Sequence, residues 1–141
     1  MATKEEYWEI TFEEKNELPE GYSSEDYEPA DLGGTDHGAN PVEYLLAAYA
    51  GCLNVMAHIC AKELGFELKS IKIDICGNLN PARLFGQSFD ERAGYKEITV
   101  KMRPDCNADA ETLSKWKDAI LNRCPVGDNL KNATDIVVNV K

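Results

Sequence analysis

The chain has 141 residues, 43% of them hydrophobic, with 25 acidic against 15 basic side chains and a formal net charge of −10. That length holds one domain with one core. The acidic balance argues against sequence-independent nucleic-acid binding and against docking on a membrane of anionic lipid. Five cysteines form no C-x-x-C pair, which argues against a disulfide framework and a structural zinc site. Residues 1–6 are polar rather than a secretory apolar segment, so the expected compartment is the reducing cytoplasm.

In chain order, residues 7–13 alternate Trp8, Ile10 and Phe12 with Glu9, Thr11 and Glu13, the period of a half-buried strand. Residues 16–40 are rich in Gly, Pro, Ser, Asp and Glu and read as a long loop. The Gly33-Gly34 pair within it lacks the spacing and the lysine of a phosphate-binding loop. Asn40 and Pro41 then open a helix predicted over 41–64, with Glu43 as a capping-box residue and Gly65 as the stop. Its apolar stripe holds Val42, Leu45, Leu46, Tyr49, Cys52, Leu53, Met56, Cys60 and Leu64. Ala47, Ala50, Gly51, Ala57 and Ala61 flank it and allow a second element to approach closely. The segment is long enough for a bilayer, but Asn54, His58 and the many alanines favour a core helix.

A strand is expected over 68–77, with Ile71, Ile73 and Ile75 inward, and a second over 95–103, ended by Pro104. Residues 78–94 between them lack periodicity. A helix follows over about 110–123, capped by Asn107 or Asp109, with Leu113, Trp116, Ala119 and Ile120 buried. Cys124-Pro125 closes it and starts a short turn, and Thr134–Val140 reads as a final strand. This order predicts one α+β domain over 1–141, a mostly antiparallel sheet with helices on one side. The apolar circumference of the 41–64 helix is best satisfied in a homodimer that buries it.

The thiols are the first candidates for chemistry. Cys52 lies mid-helix among apolar residues, where a free cysteine is by default a small buried hydrophobe far from any helix N-terminus. Cys124 stands between Arg123 and Pro125, where a helix ends. Cys60 reads as core, Cys76 falls on the polar phase of its strand and Cys106 lies in a loop. Cys52 and His58 sit about 600° apart around the helix, so they do not share a metal site with Cys60. Trp8 and Trp116 read as core aromatics.

The motif A-A-Y-A-G-C at 47–52, on a helix opened by N-P, followed by R-C-P-V-G at 123–127, resembles the OsmC/Ohr superfamily of osmotically inducible and organic hydroperoxide resistance proteins. The resemblance covers roughly residues 30–141. It implies an intertwined α+β homodimer with the long helix at the interface. It also implies cysteine-based reduction of organic hydroperoxides, with Cys52 as the peroxidatic thiol, Cys124 as the resolving one, a dithiol reductant and no cofactor. Two features depart from the pattern of the family's peroxidases. Residues 1–40 hold Lys4 and Lys15 but none of the arginine that polarises the first thiol, and Val42 stands where the family's glutamate follows N-P. Arg83, Arg92, Arg103 and Arg123 are the candidate substitutes. The rival expectation is a non-catalytic member binding a small apolar ligand beside Leu45, Tyr49 and Met56.

Overall fold

The computed structural model describes residues 39–141. The strand expected over 7–13 and the loop over 16–38 lie outside them. The helices and strands described all belong to the unit Pro41–Lys141.

Helix α1 runs Pro41–Leu64, the range predicted from its local signals. Its end is a Schellman turn. Phe66 N–H donates to Ala61 O and Gly65 N–H to Lys62 O, with Gly65 at φ 77°, a left-handed conformation that costs glycine nothing. Tyr49, Leu53, Met56, Ala57, Cys60 and Ala61 are buried. The expected stripe is therefore right in its middle and displaced at its ends. Val42, Leu45 and Leu64 are exposed, while Ala57 and Ala61 join the core because another helix crosses over them. Tyr44, Val55 and Ile59 face outward, so the described residues leave one side of α1 uncovered rather than burying the helix all round.

Strands β1 (Ser70–Asn78) and β2 (Glu97–Asp105) pair antiparallel, with Ile73 opposite Met102 and Ile75 opposite Val100. Ile71, Ile73, Ile75, Ile98, Val100 and Met102 pack against the helical core. Pro104 does not end the second strand as expected; it lies within it, opposite Ile71. Among the described residues the sheet has these two strands, so β2 is an edge, where a residue without an N–H is tolerated.

Helix α2 (Ala110–Arg123) is capped by Asp109, whose side chain accepts from Thr112 N–H at 2.8 Å. It crosses α1 at the small residues: Trp116 Nε1 donates to Ala57 O at 2.8 Å in the buried core, and the Trp116 ring meets Phe66 edge-on at 6.2 Å. A larger side chain at position 57 would push the indole out of reach of that carbonyl. Helix α3 (Pro125–Lys131) follows after the single junction residue Cys124.

The strand expected over 134–140 is absent. The segment carries no regular structure, and Ile136, Val137, Val138 and Val140 are 80–96% exposed. Alternation alone does not make a strand: its backbone groups need a neighbouring ladder, and among the described residues none pairs with it.

Candidate active site

Two junctions create the site. Cys52 lies halfway along α1, and Cys124 is at once the C-cap of α2 and the N-cap of α3. Its N–H closes the last turn of α2 on Ile120 O at 3.0 Å, and Pro125, unable to continue that helix, starts the next one at a new angle. The crossing of α2 over α1 therefore delivers the Cys124 side chain to the middle of α1. The two sulfurs, 72 residues apart in sequence, stand 2.7 Å from each other, with the Cys124 thiol donating to Cys52 Sγ. Both are free thiols. Closing a disulfide at about 2.05 Å needs a shortening of roughly 0.7 Å.

Cys124 is 1% exposed. Burial, first, and its hydrogen bond to Cys52 push its pKa above the ordinary thiol value, against the pull of the Gly127 and Val126 amides. It is thus held as a thiol, a donor, while its sulfur accepts Gly127 N–H at 3.3 Å. Tyr49, one turn before Cys52, is buried beside both sulfurs. Burial and then the charge that Cys124 and Cys52 can carry raise its phenol above the usual range.

Gly127 seals this corner. A Cβ there would stand 3.1 Å from Tyr49 Cε2 and 3.5 Å from Cys124 Sγ. The spacing of three puts Tyr49 on one face with Cys52. The sequence marks Gly127 only as the end of the R-C-P-V-G motif and Tyr49 only as a stripe residue and a wall of the rival ligand pocket. Both residues also line a cleft of about 360 Å³ between the start of α1, the approach to β2 and α3. Val42, Leu45, Ile98 and Leu130 give it apolar walls, and Arg92, Lys96, Glu97 and Lys131 give it charged ones, with Lys96 paired to Glu91.

The other thiols lie elsewhere. Cys60 is fully buried, and Cys76 is exposed on its strand. Of the arginines considered as substitutes, Arg83 donates to Phe89 O and Glu91 O, and Arg103 pairs with Asp74. Arg92 lines the cleft. Arg123, next to Cys124, turns away from Cys52 towards Glu63 and Cys60. Among the described residues, the contact to Cys52 is thus a second thiol, and Arg83, Arg103 and Arg123 are committed to other partners.

An antiparallel strand pair lies under crossed helices, with the half-buried Cys52 and the buried Cys124 in contact at the crossing. The family model described as OsmC-like protein matches residues 34–139, and the chain belongs to that family. Two solved structures share the fold. An OsmC-like protein from Mycoplasma pneumoniae matches at 19% identity with a TM-score of 0.59, over 67% of this chain and 63% of that one. An OsmC-like protein of unknown function from Vibrio cholerae matches at 12% identity with a TM-score of 0.55, over 67% of this chain and 60% of that one. The chain thus spans less than two thirds of either. No curated protein matches the chain.

Proposed function

We propose that the protein reduces organic hydroperoxides through Cys52 and Cys124. One observation carries the reading: the buried Cys124 sulfur lies 2.7 Å from Cys52 Sγ, close to the distance of a disulfide. The contact brings to Cys52 the group that the second step consumes. The Cys52 thiolate attacks the outer peroxide oxygen. The O–O bond breaks, Cys52 becomes a sulfenic acid, and the alkoxide leaves and takes up a proton as the alcohol. The Cys124 sulfur then attacks the sulfenic sulfur, forming the disulfide and releasing water. A dithiol reductant returns two electrons and two protons. This cycle belongs in a reducing compartment such as the cytoplasm. A second copy of the chain packing on Tyr44, Val55 and Ile59 would complete a homodimer and cover the exposed side of α1.

The test is one equivalent of cumene hydroperoxide followed by peptide mapping. A Cys52–Cys124 disulfide is expected in the unaltered protein. Cys124→Ser should stop at a sulfenic acid on Cys52 that dimedone captures. A bridge to Cys60 or Cys106, or unreacted thiols, sinks the reading.

The cleft favours a second reading, a ligand-binding protein. Its apolar walls and charged rim suit a small amphiphile. The absence, among the described residues, of a guanidinium on Cys52 points the same way. Under this reading Cys52→Ser binds such a ligand as well as the unaltered protein, and neither turns over peroxide.

A further inference from the structure

The end of α2 is pinned to α1 at a second point, Glu63, about three helical turns beyond Cys52. Arg123 is the last residue of α2 and immediately precedes Cys124. Its Nη2 reaches Glu63 Oε1 at 3.1 Å, its Nη1 pairs with Glu63 Oε2, and the same Nη1 approaches the buried Cys60 Sγ at 3.8 Å. The fork is planar and two-pronged, so it fixes direction as well as distance. Glu63 responds to it: the Arg123 hydrogen bonds hold its carboxyl below the usual carboxylate range, so the pair is charged on both sides at neutral pH.

We propose that the Arg123–Glu63 ion pair is a latch that positions the Cys124 thiol on Cys52 and so sets how readily the disulfide closes. The inference rests on the dithiol reading. Upstream, α2 is anchored by Trp116 on Ala57 and by buried Ile120. Downstream, Cys124 hands the chain to a helix of seven residues. The latch holds the junction between them. Disulfide geometry tolerates little error in distance or direction, so lateral play at Arg123 is felt one residue later at Sγ. Both side chains are about half exposed, and such pairs add little to global stability. A positioning role therefore predicts a loss of closure without a matching loss of fold, which a merely structural role does not.

Redox equilibration measures closure without peroxide. Two thiols pass two electrons and two protons to oxidised glutathione, giving the intramolecular disulfide and two reduced glutathione molecules. The full chain is equilibrated across glutathione ratios, alkylated, and the Cys52–Cys124 bridge is quantified by peptide mapping. Glu63→Gln, Arg123→Gln and the reversed pair Glu63→Arg/Arg123→Glu are compared, with urea midpoints measured on each. The single variants should need a glutathione mixture about three- to fivefold more oxidising, the order expected of an exposed pair with good geometry. Their urea midpoints should stay close to the unaltered value, and the reversed pair should restore closure. Salt at 1 M should weaken closure in the unaltered protein and leave the single variants unmoved. If the single variants close as readily as the unaltered protein, the latch is wrong and the dithiol reading stands. If closure and urea midpoint fall together and reversal rescues neither, the pair is structural and the latch is wrong again. If the unaltered protein forms no Cys52–Cys124 bridge at any ratio, the dithiol reading itself falls.

Discussion

Helix α1 offers α2 two sulfurs, Cys52 and Cys60, and the two contacts could hardly be more different. At Cys52 the neighbour is another thiol, that of the buried Cys124. At Cys60 it is the Arg123 guanidinium, shared with Glu63. A cation beside a sulfur is the usual mark of a reactive thiol, so electrostatics alone would choose Cys60. Yet Cys60 is fully buried, and its pKa is raised. Burial contributes most, Arg123 pulls it down, and Glu63 pushes it up. The cation is spent on a carboxylate and the thiol is walled in. Reactivity towards peroxide needs access and a second thiol to finish the two-electron chemistry. Cys52, half-buried and touching Cys124, has the partner that Cys60 lacks.

Substitution separates the two sulfurs most directly. Cys52→Ser should abolish peroxide turnover, while Cys60→Ala should retain most of it. An assay with cumene hydroperoxide and a dithiol reductant decides between them, and equal losses would erase the contrast between the two thiols. Stability offers the next largest effect. Trp116→Ala opens a cavity at the crossing and leaves Ala57 O without its indole donor. A cost of about 3–5 kcal/mol in urea unfolding is expected. A loss below about 1 kcal/mol would mean that the crossing is held by something other than the tryptophan.

Much of the framework is legible in the sequence because its signals are local. Pro41 and Gly65 bound α1, and Asp109 and Pro125 bound α2, through chemistry that acts within a turn. What sequence cannot place is contact between distant segments. The stripe on α1 is centred correctly at Leu53, but its edge is set by where α2 crosses, which brings Ala57 and Ala61 in and leaves Val42 and Leu45 out. Resemblance to a family pairs Cys52 with Cys124. Nothing in the spacing does so, since the meeting depends on a crossing 72 residues later. Arg123 is one of four arginines available to Cys52 by sequence, and only the fold shows it committed to Glu63. The Ile136–Val140 alternation misleads for the same reason: it records a preference for a sheet face and not the presence of a neighbouring strand.

Gly127 probes the contrast from the other side, because it touches the reactive corner and not the Cys60 one. Gly127→Ala places a methyl 3.1 Å from the Tyr49 ring and 3.5 Å from Cys124 Sγ, so ring or sulfur must shift by a few tenths of an ångström. Alanine gains up to about 1 kcal/mol in helix propensity, and the crowding returns a penalty of about 1–3 kcal/mol. The net should be a modest loss of stability while disulfide closure slows. Quenched alkylation after a peroxide pulse reads the closure rate, and an unchanged rate would show that the corner has more room than its geometry indicates.

The smallest expected effect is on pH. Cys124, Cys60 and Tyr49 all have folded pKa values raised by burial above their ordinary ones. Groups raised in this way contribute stability that is fully present below the unfolded value, about 8.5 for a thiol. That contribution is lost as pH climbs through the folded value, because the unfolded chain releases its protons first. Under reducing conditions the urea midpoint should therefore hold level up to about pH 8.5 and decline above it. Glu63 and Asp109 have lowered pKa values, and their contributions are lost only as pH falls through those values on the acid side. Cys60→Ala removes one buried thiol and should make the alkaline decline shallower. Cys124→Ala should do the same and also free Cys52 from its sulfur donor. Declines of equal slope in all three proteins would show that the buried thiols do not govern alkaline stability, and would leave Tyr49 as the group to test next.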